Sequence, residues 1–335
     1  MRVLLLIDIE CADCEDPQLT RRRHASVATV ESHVASALRR LGHEVTILPF
    51  DRDAARALHR PRAARADLVF NLTEQFDGDR RKDAYIASCL ERLHVPYTGA
   101  GPAGLTLCRD KAGSKRLLKR EGFDVPGFNV LSVGERRLSR ALRYPVLVKP
   151  LMADASEHMA RTSLAPTARA ALARVAWLHE RTGQPVICEE FIDGRELKIA
   201  LLGNERPLVL PPREVRFGRM GCGGPIFITS RVKGDPDYRR TWKISYPRAR
   251  LSAPEFRRLA ASAQRIYRLL EMRDYGKIDI RLTPNGRMVF IEGNPNPDLS
   301  PTGFGRIASW AGYAYTDVIR AIVDLAVTRY ATSRT

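Results

Sequence analysis

Residues 277–282 and 287–294 are two runs of alternating apolar and polar side chains on either side of Pro284-Asn285-Gly286. Asn-Gly is the strongest two-residue hairpin signal, because both residues tolerate positive φ. With Asn285 and Gly286 as the loop, Pro284 faces Arg287. Counting outward then pairs Leu282 with Val289, Ile280 with Ile291, Asp279 with Glu292 and Lys277 with Asn294. Ile278, Ile280, Leu282, Val289 and Ile291 share one face, and Lys277, Asp279, Arg281, Glu292 and Asn294 share the other. Two directly opposed carboxylates repel, so the pairing calls for a cation, and hard oxygen donors from Asp, Glu and Asn suit Mg²⁺ that bridges substrate phosphates. A surface hairpin whose carboxylates are neutralised by Lys277 and Arg281 is the open alternative.

At 335 residues the chain exceeds one ordinary core, and domain-size rules lead to about two or three packed units. Residues 3–7 suit a buried parallel strand. Residues 27–41 have helical apolar spacing stopped by Gly42, and 44–48 and 68–71 read as further strands. Strand, helix, strand in alternation implies a parallel sheet covered by helices, with ligands beyond the carboxyl ends of the strands. A helix is predicted over 105–120, ending at Gly122 ahead of Pro126. A strand over 144–149 stopped by Pro150, a helix over 165–181, and strands over 185–191 and 197–202 around Asp193-Gly194 make a small α+β lobe. The stretch 210–250 is rich in Gly, Pro and Arg with weak periodicity, and 254–272 is helical.

Hydrophobic content of 44% fits a globular enzyme. No run approaches the roughly 20 apolar residues that span a bilayer, and Asp8 and Glu10 interrupt the apolar start too early for a signal peptide, which leads us to expect a cytoplasmic protein. Six irregularly spaced cysteines do not form a disulfide framework, and the Cys11/Cys14 CxxC lacks a second pair for zinc. The net charge of +17 and pI of about 10.0 keep a nucleic-acid or acidic-partner binding protein open as a second reading. The arginines are spread along the chain, however, and the runs at Arg21-Arg22-Arg23 and Arg39-Arg40 lack interleaved aromatics, which favours a solvated basic surface.

Lys149 ends the apolar run Pro145-Val-Leu-Val-Lys149, delivering one ammonium to a sheet end where phosphate can be gripped. Asp154-Ala155-Ser156 follows, small and polar enough for backbone amides to approach phosphates, or else an ordinary turn. Glu189-Glu190-Phe191-Ile192 closes a strand ahead of Asp193-Gly194-Arg195-Glu196, an edge able to hold adenine and ribose, or a solvated acidic turn.

These pieces, in this order over residues 67–325, resemble the ATP-grasp superfamily, in its D-alanine–D-alanine ligase branch. The motifs are Tyr97-Thr98-Gly99-Ala100-Gly101 with Asp110-Lys111, Val148-Lys149-Pro150, Glu189-Glu190-Phe191-Ile192 with Gly194 and Glu196, Lys277-Ile278-Asp279, and Ile291-Glu292-Gly293-Asn294. The resemblance implies α/β and α+β architecture: an N-terminal parallel-sheet domain (1–105), a central lobe (106–192) and a C-terminal lobe with the metal hairpin (193–335), the nucleotide lying between the last two. It implies an ATP-dependent carboxylate–amine ligase working through an acyl phosphate. Lys111 and Lys149 would hold ATP phosphates beneath a loop containing Asp154, Ala155 and Ser156. Glu189, Glu190, Phe191 and Ile192 would hold adenine, and Glu196 ribose. Asp279, Glu292 and Asn294 would bind two Mg²⁺, with Mn²⁺ as a substitute. Lys233 would close over the γ-phosphate and Lys277 would stabilise the oxyanion. Partners would be ATP and small amino-acid or amine substrates, with neither membrane nor nucleic acid, and a homodimer is allowed.

Three departures matter. Lys277 stands where the family has Arg, so an ATP-binding protein without catalysis is a further alternative. Asp154-Ala155-Ser156 replaces a glycine-rich Ser-Ser loop. Asn296-Pro297-Asp298-Leu299 replaces the Ser-Pro-Gly-Met segment that cradles the second D-alanine, so Asp298 is expected either to repel a substrate carboxylate, disfavouring D-alanyl-D-alanine as product, or to point to solvent and cap a helix near Pro301.

Overall fold

The computed structural model describes residues 1–8, 29–50, 66–153, 157–218, 224 and 226–332. The CxxC pair, the Arg21–Arg23 run and Asp154, Ala155 and Ser156 lie outside these residues.

Strands β1 (Arg2–Asp8), β2 (Glu44–Phe50) and β3 (Leu68–Asn71) form a parallel sheet of order β2-β1-β3. Parallel strands are covered on both faces and so read as continuous apolar runs, and Leu5, Leu6 and Ile7 of β1 are fully buried. The crossover helix α1 (Val30–Arg40) begins where the Thr29 hydroxyl accepts from Ser32 N at 3.3 Å. After α2 (Asp83–Arg92), the single helix predicted over 105–120 is in fact two, α3 (Pro102–Arg109) and α4 (Lys111–Arg120). The Asp110 carboxylate accepts from Ala112 N at 3.0 Å and Gly113 N at 2.9 Å, so it caps a new helix and ends the old one.

A four-stranded antiparallel sheet follows, order β4-β7-β5-β6, from β4 (Phe128–Leu131), β5 (Val146–Pro150), β6 (Leu164–Ala165) and β7 (Val186–Glu190), with α5 (Ala168–Thr182) packed against it. The strand stops at Pro150 as expected, with the proline itself as its last residue, opposite Val186. The third sheet has six strands: β8 (Arg195–Leu202), β9 (Leu208–Val209), β10 (Arg213–Phe217), β11 (Ile244–Ser245), β12 (Tyr275–Leu282) and β13 (Met288–Asn294). Its order is β11-β10-β8-β12-β13, with β9 on β8. The weakly periodic stretch 210–250 thus holds β10, β11 and two short helices, α6 (Ser230–Gly234) and α7 (Pro236–Thr241), each too short to register as a period. Beneath the sheet runs α8 (Ala253–Leu269), opened by a Ser252/Glu255 capping box. Two helices close the chain, α9 (Phe304–Ser309) and α10 (Tyr315–Thr332).

Core membership does not follow chain order. Cys108 of α3 and Leu118 of α4 pack under the six-stranded sheet with Ile266 and Tyr267 of α8. Ile319 and Ile322 of α10 pack with Val34 and Leu38 of α1. No helix among the described residues is long and apolar enough to cross a membrane. One buried carboxylate joins these pieces. Asp274 accepts from Arg329 Nη2 of α10 at 2.8 Å and from Gly99 N at 2.8 Å, while Arg329 also donates to Tyr97 O at 2.8 Å. Asp274→Asn leaves the Arg329 charge poorly compensated in a site with no solvent access at Asp274, and we expect a loss of about 3–5 kcal/mol in urea-unfolding stability. A loss below about 1 kcal/mol, the level of a surface pair, would remove Asp274 from this role.

Candidate active site

The hairpin pairs Lys277 with Asn294, Ile278 with Gly293 and Asp279 with Glu292, as expected, and then slips by one residue. Beyond the slip Ile280 faces Phe290, Arg281 faces Val289 and Leu282 faces Met288, which corrects the Ile280–Ile291 and Leu282–Val289 pairs. Two compensating features cause this. Thr283 N donates to Arg287 O at 3.0 Å and Gly286 N to Thr283 O at 2.9 Å, so the loop has three residues, 284–286, and within it only Gly286 takes a left-handed φ, of 79°. A bulge between Asp279 and Ile280 then leaves Ile291 as the extra residue and restores the register at Asp279–Glu292.

The Ile291 carbonyl accepts from Lys115 Nζ of α4 at 2.5 Å. That ammonium also sits 2.8 Å from Glu189 Oε1, and Lys149 Nζ lies 2.8 Å from Glu189 Oε2. All three side chains are sealed, with 0%, 10% and 2% exposure for Lys115, Lys149 and Glu189. Burial pulls the Lys115 ammonium down to about 8, against the attraction of Glu189. Burial also works against charge on Glu189, yet Lys115 and Lys149 hold its carboxyl below the usual range. Lys149 is opposed by burial too, but Glu189 and Glu292 raise it.

On the facing sheet Lys198 of β8 bridges Asp279 Oδ2, at 2.5 Å, and Glu196 Oε1, at 3.6 Å. Glu196 Oε2 also accepts from Arg281 Nη2 at 2.9 Å. Asp279 Oδ1 is buried with no hydrogen-bond partner among the described residues, 3.5 Å from Lys277 Nζ. Burial works against charge on Glu292, but Lys149, Lys111, Lys198 and Lys277 hold it well below the usual carboxylate range. Asn294 Oδ1 accepts from Asn296 N at 2.8 Å. Lys111 Nζ donates to the carbonyls of Leu151, at 3.4 Å, and Ala153. Glu190 borders the cleft, but its carboxylate is gripped by Arg143 Nη2 at 2.9 Å, while the Phe191 ring lies 5.2 Å under the Arg281 guanidinium. Lys233 sits on α6, and Arg239 donates to the carbonyls of Val232, at 2.9 Å, and Lys233, at 2.6 Å. Burial, with Lys277 and Lys198 nearby, lowers the Lys233 ammonium.

Every described residue selected from sequence lines one cleft between the four- and six-stranded sheets, a cavity of about 120 Å³: Lys111, Lys149, Glu189, Glu190, Phe191, Ile192, Glu196, Lys233, Lys277, Asp279, Glu292 and Asn294. A second cavity of about 630 Å³ adjoins the cleft and shares Lys198, Ile228, Lys233, Lys277 and Asn294 with it. Lys115 and Lys198 were not legible as site residues, although their spacings were present: Lys115 is four residues after Lys111 on α4, and Lys198 two after Glu196 on β8. Among the described residues no three His, Cys, Asp or Glu side chains group to hold a metal. The opposed carboxylates plus Asn294 are hard oxygen donors, and the orphaned Asp279 Oδ1 is the buried acceptor that a divalent cation would satisfy.

A small antiparallel lobe set over a larger sheet, with lysines from the first facing carboxylates from the second, defines an ATP-grasp fold. Over 99% of both chains it superposes on the ATP complex of the Bacillus anthracis D-alanine–D-alanine ligase, with a TM-score of 0.74 and 17% identity. Residues 117–324 match the family model described as the D-ala D-ala ligase C-terminus. The Sinorhizobium fredii protein y4sG is 31% identical, covering 90% of this chain and 88% of its own length. A Desulforudis audaxviator D-alanine–D-alanine ligase is 29% identical, covering 88% and 92%. The chain belongs to the D-alanine–D-alanine ligase family and is an ATP-dependent, amide-forming ligase.

Lys115→Met removes the donor to the bulge carbonyl and one of the two cations on Glu189. We expect a stability loss of about 3–5 kcal/mol, the scale for breaking a buried pair. Thermal unfolding checks it, and a shift no larger than that of an exposed lysine variant would refute the assignment.

Proposed function

We propose that the protein phosphorylates the carboxylate of one small substrate with ATP and joins the resulting acyl phosphate to the amine of another. The observation that carries this reading is the Asp279–Glu292 pair, opposed across a bulged hairpin and ringed by lysines from both lobes. Lys111 and Lys149 are assigned to the ATP phosphates, Phe191 and Ile192 to the adenine, and Glu196 to the ribose. Glu189 is assigned to holding Lys149 in place, since both its oxygens are taken by lysines. Lys233 is assigned to the transferring phosphoryl group and Lys277 to the developing oxyanion, as a point charge without a guanidinium fork. Asp279, Glu292 and Asn294 are assigned to Mg²⁺, for which we propose two ions. Mg²⁺ bound there would draw charge from the phosphates. The phosphate-covering role of Asp154, Ala155 and Ser156, the division at 105 and 192 and the cytoplasmic location belong to the same proposal, which also allows a homodimer.

Glu292→Gln should lower ATP turnover by about 100-fold or more, since several kcal/mol of charge stabilisation go with the metal. Phosphate release at saturating Mg²⁺, with D-alanine and an amino-acid panel as substrates, is the measurement, and turnover matching the unaltered protein would exclude the metal role. Lys149→Ala should weaken a non-hydrolysable ATP analogue by about 1.5–3 kcal/mol, the scale for a charge-assisted contact. Unchanged calorimetric affinity would dismiss Lys149 as a phosphate ligand.

A further inference from the structure

Glu157, His158 and Met159 are consecutive, and their ties run to three different parts of the molecule. Glu157 Oε1 lies 3.0 Å from Nε of Arg80, on the connection between β3 and α2. The His158 carbonyl accepts from Arg174 Nη2 of α5, which packs on the four-stranded sheet, and His158 itself takes a left-handed φ of 57°. The Met159 carbonyl accepts from Ser230 N at 2.9 Å and from Ser230 Oγ at 3.2 Å. Ser230 opens α6, the helix that carries Lys233. A non-glycine residue at positive φ is uncommon, and here bonds on both sides hold it.

Arg80 is shared between two carboxylates. Its Nη1 donates to Glu74 Oε2 at 2.7 Å while its Nε meets Glu157. Glu74 is fixed through its backbone, whose N–H donates to the Asp8 carboxylate at the end of β1, at 3.1 and 3.2 Å. The guanidinium is therefore braced on the parallel sheet and reaches from there to Glu157. Glu74 and Arg80 line the larger cavity, whereas Glu157 and Met159 line the nucleotide cleft. The Arg80–Glu157 pair thus links the lining of one cavity to the lining of the other. Arg80, Glu74 and Glu157 keep 32%, 45% and 41% exposure. Ion pairs this open add little to stability. Such a tie can break and re-form within a catalytic cycle, whereas a buried pair such as Arg109–Asp83 holds its elements together throughout.

We propose that Arg80 is a positioning residue that, through Glu157, couples the contents of the larger cavity to the nucleotide cleft and so keeps phosphoryl transfer joined to amide formation. This rests on the ligase reading above. A substrate in the larger cavity packs beside Glu74 and Arg80 and restricts the guanidinium to the geometry that meets Glu157. With the tie lost, water reaches the acyl phosphate. The water oxygen bonds to the carbonyl carbon, the bond from that carbon to the phosphate oxygen breaks, phosphate leaves and the carboxylate is regenerated with release of a proton. ATP is then consumed without an amide, the side reaction that exclusion of water prevents.

The test measures phosphate released against amide formed, with ATP, Mg²⁺ and the most active pair from a panel of amino acids. The unaltered protein is expected to give equal amounts of the two. Arg80→Gln should raise the ratio of phosphate to amide about 2- to 5-fold, the weight of an exposed ion pair in an equilibrium. Glu157→Gln should give the same ratio, and the double variant no more than either single one, since all three lose the same contact. Urea unfolding reports whether each variant is folded, and Glu157→Gln carries the comparison if Arg80→Gln does not fold. Additive effects in the double variant overturn the inference, as do ratios unchanged in every variant. A raised amino-acid KM in Arg80→Gln with Glu157→Gln silent also overturns it, because Arg80 would then act on the substrate directly. All three results leave the ligase reading standing, whereas absence of amide with every pair overturns both.

Discussion

Two carboxylates set against each other in a closed cleft cannot remain ionised without cations, and the site is organised around that requirement. Asp279 and Glu292 face each other across β12 and β13, and the compensating charge comes from both lobes: Lys198 and Lys277 from the same sheet, Lys149 and Lys111 from the other side of the cleft. Each lysine is placed by a strand or helix whose own core packing is independent of the site. The carboxylates thus attract across the cleft the ammonium groups that we assign to the triphosphate.

The lobes are tied by a smaller device with the same chemistry. Glu189 takes one lysine from α4 and one from β5, and the α4 lysine also binds the carbonyl that the bulge releases from the ladder. A bulge is usually a local irregularity of one strand pair. Here its extra residue supplies the acceptor through which a helix from the preceding segment fixes the position of Glu292. The arrangement is strong only because it is dry and complete, since any one missing partner leaves a buried charge unmatched.

The +17 charge has little to do with this chemistry. Many arginines form exposed surface pairs, such as Arg2 with Asp67 and Arg81 with Asp79, which contribute little to stability. The informative arginines are the few turned inward. Arg281 holds Glu196, Arg329 holds Asp274, and Arg213 donates to the Thr302 carbonyl and packs on the Tyr246 ring.

The residue order alone carried the pairing of Asp279 with Glu292, the parallel strand at 3–7 and the strand end at Lys149, because alternation, apolar runs and turn residues are local properties. The register between Asp279 and the turn is not legible in the sequence, since a three-residue loop and a bulge cancel one another at the carboxylates and neither leaves a mark in the alternation. Lys115 and Lys198 became site residues only once the sheets and the helices around them were assembled. A lysine on a helix or a strand has the same local pattern whether it meets water or a buried carboxylate. Which of these it meets is set by the packing of segments up to 176 residues apart, as Lys115 and Ile291 are, and that information is absent from any local stretch of the chain.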